Sequence, residues 1–330
     1  MKIVEFAEFG AAHEVARCVE APDPGPPADD GVIVEVEAFP INPVDLLTIE
    51  GRYAVRPPLP ATPGSEGVGC VVATGAGVAG VATGERVLLM GRANWVQRRA
   101  CKEHEVLRLP PGGDVLQLAM LKINPATALL MLRNYVALAP GDWLIQNAAN
   151  SGVGNNLVRL ARAEGVRTVN VVRRAGLEAS LAAAGADAVV VDGDDLPDRV
   201  RSATDGAEIR LAIDAVAGEA SGRLAACLAE GGTVVNYGLL SGRPCAIEPH
   251  HLVFRGVTLT GFWLVKALGA LSADQRGALY ADLGRRVAAG DLHVDVAATY
   301  AIDDIAPALE HAARGERGGK VLVTPNGPVG

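Results

Sequence analysis

Gln146-Asn-Ala-Ala-Asn-Ser-Gly-Val-Gly154 is the stretch whose reading decides the fold. A strand-like run, Asp142–Asn147, leads into it, and a helical pattern, Val153–Glu164, leads out. A short connection of small residues between strand and helix is where a dinucleotide-binding turn belongs. Against the pattern Gly-x-Gly-x-x-Gly the glycine positions fall on Ala149, Ser151 and Gly154, so only the last is met. Small residues still let the backbone approach a pyrophosphate, whose charge would face the amino end of the helix. Asn150, Ser151, Gly152 and Val153 are therefore candidate contacts, and Gly154 allows the helix to pack closely on the strand. An ordinary strand-to-helix turn is the competing reading.

Working outward, strands and helices alternate. Arg167–Val172 reads as a strand, Gly176–Ala184 as a helix and Asp187–Val191 as a strand. Arg210–Asp214, Thr233–Tyr237 and Val257–Phe262 are further strand-like runs, with the alanine-rich helix Glu219–Ala229 between the first two. This alternation predicts an α/β fold with a doubly wound parallel sheet. The second strand ends Asn170-Val-Val-Arg-Arg174, without the acid that commonly holds the ribose hydroxyls of NAD. Arg173 and Arg174 there suit a 2′-phosphate through charge-assisted, forked hydrogen bonds, so NADPH is the expected cofactor. Solvated loop charges are the alternative.

The preceding third is β-rich: Gly31–Phe39, Val68–Thr74 and Glu85–Met90 are short strands between Gly or Pro turns. The tail offers a helix at Ala273–Ala289, a strand at Val294–Thr299, a helix at Asp303–Arg314 and a strand at Lys320–Thr324. The chain of 330 residues, 49% hydrophobic and 21% charged, is long enough for about two domains with proper cores. A net charge of −8 argues against a nucleic-acid partner, which needs a clustered positive surface. No apolar run approaches the roughly 20 residues of a membrane span. The five scattered cysteines form no CxxC pair, as expected of reduced thiols. The opening MKIVEFAEFG carries two glutamates and no signal or transit pattern, which gives a cytoplasmic expectation.

Several strings together resemble one family. They are Ile41-Asn-Pro-Val-Asp45, Glu50-Gly-Arg-Tyr53, Gly64-Ser-Glu-Gly67, Asn124-Pro-Ala-Thr-Ala128, the turn at 146–154, Thr168-Val-Asn-Val-Val-Arg173 and Gly261-Phe-Trp-Leu264. In this order they resemble the zinc-independent medium-chain dehydrogenases/reductases, and within them the 2-enoyl thioester (trans-2-enoyl-CoA) reductases. The resemblance implies a GroES-like catalytic domain over residues 1–119, a Rossmann NADPH-binding domain over 120–264 and a return to the catalytic domain over 265–330. It also implies a homodimer joined through the cofactor domains. The expected reaction is NADPH-dependent reduction of the 2,3 double bond of an enoyl-CoA or enoyl-acyl-carrier-protein. A quinone or enone reductase, or a non-catalytic NADPH-binding protein of crystallin type, are the rival readings.

By resemblance Tyr53 is the catalytic tyrosine, with Asn42 and Asp45 lining the site and orienting its loop. A phenol, with an ordinary pKa near 10, stays protonated at neutral pH and can donate. Trp95 is expected at the substrate. Thr127, Tyr237, Phe262, Trp263 and Leu264 are expected at the cofactor, the last three closing over the nicotinamide. Departures from the family pattern fall at Ala54, Ser65 and Leu129 and leave the acyl chain length open. No metal is expected: Pro43 and Gly64-Ser65-Glu66 stand near the positions of the ligands in zinc members, and a zinc site needs three or four clustered ligands.

Overall fold

The computed structural model describes residues 1–315 and 318–329. They divide into two compact units, one formed by residues 1–123 with 273–330, the other by residues 124–272. The unit boundaries thus fall a few residues after the expected 119/120 and 264/265. The reason is local: the helix Asn124–Asn134 opens the second unit, and the short helix Leu264–Gly269 packs on it.

The second unit is a six-stranded, all-parallel sheet. From edge to edge its strands are Ala188–Val191, Arg167–Val172, Trp143–Gln146, Ile209–Asp214, Thr233–Asn236 and Thr258–Gly261. In sequence terms that order is 3-2-1-4-5-6, the doubly wound arrangement of dinucleotide-binding sheets. Strands buried on both faces read as continuous apolar runs, and Trp143–Gln146 is buried at every position. The helix Gly152–Ala163 starts where Ser151 caps it, its Oγ accepting from Gly154 N at 3.1 Å. Its inward face buries Val153, Leu157, Val158, Leu160 and Ala161.

The first unit is built on a seven-stranded sheet centred on the long strand Gly31–Pro40. That strand pairs antiparallel with Val68–Thr74, with Arg98–Lys102 and, at its end, with Lys320–Val323 from the tail. Leu322 faces Pro40 and Ile41 N donates to Val321 O, so the register carries Lys320 opposite Asn42. A single core joins both segments, with Phe39, Ile41, Val71 and Trp95 packed beside Ile305, Leu309, Val321 and Val323. The structure adds the helices Pro43–Ile49, Asn124–Asn134 and Leu196–Ala203, which residue patterning does not reveal. All three hold a proline within their first turn, where its missing N–H is harmless. Among the described residues no helix is long and apolar enough to cross a membrane.

Candidate active site

All the residues expected at the cofactor lie in the second unit, and most follow the carboxyl end of a parallel strand. Asn150–Gly154 follow Trp143–Gln146, Arg173 and Arg174 follow Arg167–Val172, Tyr237 follows Thr233–Asn236, and Phe262–Leu264 follow Thr258–Gly261. In open parallel sheets, ligands bind along this carboxyl edge. The glycine-rich turn has the closeness such a site needs. A Cβ on Gly154 would stand 2.4 Å from Ala149 O, so only glycine lets the helix sit this near the strand end. Gly152 faces the side chain of Asn124, whose Nδ2 is buried and has no hydrogen-bond partner. A buried donor left unpaired is costly, and here it stands beside a helix amino end that favours an anion. Tyr237 lies beside Ser151; burial raises its phenol pKa, and the Ser151 side chain pulls it back. Arg173, Arg174 and Asn150 are exposed, Trp263 is 42% exposed, and Thr127 is buried in the helix Asn124–Asn134.

One carboxylate that sequence reasoning missed organises these loops. Asp214, fully buried at the end of its strand, accepts from Asn147 Nδ2 at 2.6 Å, Ser221 Oγ at 2.6 Å and Asn236 Nδ2 at 3.1 Å. It also takes the backbone N–H groups of Val216 and Ala217. Three strand ends are thereby tied to one group. The available signal was an acid closing an otherwise apolar run, Leu211-Ala-Ile-Asp214.

In the first unit, Asn42 and Asp45 face inward. They form a reciprocal cap on the helix Pro43–Ile49, with Asn42 N donating to Asp45 Oδ2 at 2.9 Å and Ser65 N to Asp45 Oδ1 at 2.9 Å. Asn42 Nδ2 donates to Glu66 Oε1 at 2.7 Å, and Lys320 Nζ donates to Asn42 Oδ1. The other Glu66 oxygen accepts Ile123 N at 2.9 Å. Lys122 Nζ donates to Ser65 O and to Gly91 O. Burial pushes the Glu66 carboxyl up to about 7 against the pull of Lys320, and brings Lys122 down to about 8 against the pull of Glu66. Burial also raises Asp45. Asn42 and Asp45, expected at the site, are almost fully buried, and their side chains are engaged with the helix amino end, Ser65, Glu66 and Lys320. Glu66, Lys122 and Lys320 were not anticipated, because charged residues are seldom buried and only the fold shows these to be.

Tyr53 stands on the loop beyond that helix, half-buried, its backbone N–H donating to Leu47 O at 3.0 Å. The Arg92 guanidinium lies over its ring, 5.4 Å from the centroid. Trp95 does not line an open surface. It is fully buried and stacked on Phe39 at 5.4 Å, a core residue where a substrate contact was expected. Among the described residues no three His, Cys, Asp or Glu side chains gather to hold a metal.

A doubly wound dinucleotide sheet, with a β-rich unit carrying a loop tyrosine, defines the class: a two-unit nucleotide-dependent oxidoreductase. Known proteins give the same result. The alcohol dehydrogenase GroES-like domain matches residues 28–115 and the zinc-binding dehydrogenase domain matches residues 152–278. The chain is 36% identical, over 89% of its length and 80% of the relative's, to the mitochondrial enoyl-[acyl-carrier-protein] reductase of Bos taurus. In structure it is similar to a provisionally assigned NADPH:quinone reductase from Bacillus thuringiensis, with a TM-score of 0.91, 30% identity and 98% of each chain covered. It is also similar to the Candida tropicalis 2-enoyl thioester reductase Etr1p, solved with NADP and crotonyl-CoA, at TM-score 0.88 and 25% identity, over 98% of this chain and 99% of that one. Etr1p has also been solved as a heterodimer with Etr2p. The chain belongs to the zinc-independent 2-enoyl thioester reductase family of the medium-chain dehydrogenases/reductases.

Proposed function

We propose that the protein reduces the 2,3 double bond of a trans-2-enoyl thioester, carried on coenzyme A or acyl-carrier protein, with NADPH. Kinship with enoyl-[acyl-carrier-protein] reductases along most of both chains carries this reading. The residues suit the cofactor: an unpaired buried Asn124 amide beside Gly152, a capped helix amino end, and two exposed arginines at the end of the second strand. In this reading the turn at 150–154 and Asn124 hold the pyrophosphate, and Arg173 with Arg174 grips the 2′-phosphate. NADPH supplies a hydride to the β-carbon.

Charge then collects on the thioester oxygen as an enolate, and the α-carbon takes a proton. Tyr53 supplies a hydroxyl for that step, on a loop fixed to the carboxyl end of the helix Pro43–Ile49. Asn42, Asp45 and Glu66 fix the amino end of the same helix. Replacing Tyr53 by Phe removes one donor from the developing charge, an effect of about 10²–10³ in rate. Loss of NADPH at 340 nm with crotonyl-CoA tests this: the wild type should turn over and Tyr53→Phe should fall about a hundredfold. The resemblance to quinone reductases favours one rival. Turnover of quinones with no turnover of thioesters, indifferent to Tyr53→Phe, would establish that rival instead.

For the assembly we propose a homodimer. The strand Thr258–Gly261 stands at a sheet edge, and Val253, Phe254, Leu259 and Val265 nearby are exposed apolar residues. For location we keep the cytoplasmic expectation; five free thiols suit a reducing compartment of either kind. The Bos taurus relative is named as mitochondrial, and imaging of the tagged protein decides between the two compartments.

A further inference from the structure

We propose that Arg92 is a positioning residue for the reaction, holding the ring of Tyr53 in the orientation from which its hydroxyl donates. The inference rests on the reading of Tyr53 given above. The backbone at Tyr53 is well fixed. Gly51 turns the chain at φ +69°, and the N–H groups of Arg52 and Tyr53 both donate to Leu47 O. The side chain is another matter, because a half-buried phenol on a loop turns about two torsions that backbone bonds do not set. A neighbour that touches the ring can help to set its orientation.

Arg92 is such a neighbour. Its guanidinium carbon is 5.4 Å from the ring centroid, within the roughly 6 Å over which a cation is held by an aromatic face. The side chain is exposed, yet the backbone that carries it is anchored from within. Gly91 O, one residue before, accepts from Lys122 Nζ at 2.9 Å and from Asn94 Nδ2 at 3.1 Å. Lys122 also donates to Ser65 O, and its own carbonyl accepts from Tyr280 Oη at 2.9 Å. A buried ammonium shared by two carbonyls is a strong fixture, since charge-assisted bonds gain strength where water is excluded. Tyr53 is therefore held twice, its backbone by the end of a capped helix and its ring by an arginine on an anchored turn. The alternative for an exposed arginine here is direct contact with the phosphates of coenzyme A.

Steady-state kinetics of NADPH-dependent crotonyl-CoA reduction separate these. Wild type, Arg92→Met, Arg92→Lys, Tyr53→Phe and the Tyr53→Phe/Arg92→Met double variant would be compared. A ring-positioning role predicts a roughly two- to fivefold lower kcat in Arg92→Met, the scale of an exposed cation–π contact. The KM for crotonyl-CoA should stay within about twofold, and Arg92→Lys should recover most of the loss. In the Tyr53→Phe background the same substitution should leave kcat unchanged, because the hydroxyl it orients is gone. A raised KM with intact kcat would overturn the proposal in favour of a phosphate contact. An unchanged kcat in Arg92→Met, or an equal kcat loss in both backgrounds, would overturn it too. Should Tyr53→Phe alone leave kcat intact, the donor reading itself fails and takes the positioning role with it, a result distinct from the others.

Discussion

At the scale of single residues, the buried Glu66 has a consequence for stability. Its carboxyl is held at about 7, against an ordinary value of 4.5, because burial disfavours the charge. Below pH 4.5 both the folded and unfolded chains keep the proton. Between 4.5 and about 7 the unfolded chain releases it while the folded chain retains it, so stability falls as pH rises and levels off above 7. The difference is on the order of 3 kcal/mol. Lys122 works from the other side: with its value lowered to about 8, stability recovers as pH climbs from about 8 toward 10.5. Urea denaturation should therefore show a stability minimum near pH 7–8. Glu66→Gln, less stable overall because its single amide oxygen can accept from only one of Asn42 Nδ2 and Ile123 N, should show little of the decline from pH 5 to 7.5. A decline of wild-type size in that variant would assign it to other groups. Arg173 and Arg174 make a second residue-scale case. Each bond from guanidinium to phosphate contributes about 1.5–3 kcal/mol. The double alanine variant should raise the KM for NADPH at least tenfold and leave that for NADH nearly unchanged; equal effects on both would return these arginines to the solvated loop.

The element on which the proposed cofactor site rests is the helix Gly152–Ala163 and its seat on the strand Trp143–Gln146. Gln146 Nε2 donates to Gly154 O at 3.0 Å and to Asn170 Oδ1 at 2.8 Å, so the turn is tied to two neighbouring strands at once. Gly154→Ala places a methyl group 2.4 Å from a carbonyl oxygen that belongs to backbone and cannot rotate away. The helix must lift from the strand, and overpacking of this kind costs about 1–3 kcal/mol. We expect a lower Tm, together with weaker NADPH binding by fluorescence titration. An unaltered Tm would mean that the turn tolerates a wider seat than its geometry indicates.

On the scale of the whole molecule, the exposed edge strand Thr258–Gly261 is the feature that must be managed. An unpaired edge with apolar neighbours invites another chain, and a second copy pairing edge to edge satisfies it symmetrically. Light scattering behind size exclusion should give a dimer for the wild type and a monomer for Val253→Asp/Phe254→Asp, both positions being exposed in the single chain. A wild-type monomer at micromolar concentration would dismiss the homodimer.

How much of this was legible beforehand follows from the range of the forces involved. The alternation of strands and helices from 142 onward is local patterning, and Arg167–Val172 falls where its β-branched run ends. The turn at 146–154 was legible for the same reason, since small residues, a cap and one obligatory glycine are all near neighbours in the chain. The rest depended on contacts distant in sequence. Lys320 meets Asn42 only because the tail strand pairs with Gly31–Pro40 in one register. Glu66 and Lys122 are buried only in the folded chain, where Glu66 accepts from Ile123 N and Tyr280, on the helix Ala273–Ala288, donates to Lys122 O. Trp95 sits in the core because Phe39 stacks on it. By itself the sequence determined the class of fold, the nucleotide turn and the family, each written in short-range periodicity and small-residue spacing. Only the tertiary structure decided which polar groups lose their water, and that loss shifts the Glu66 and Lys122 pKa values and buries Asn42 and Asp45 beside them.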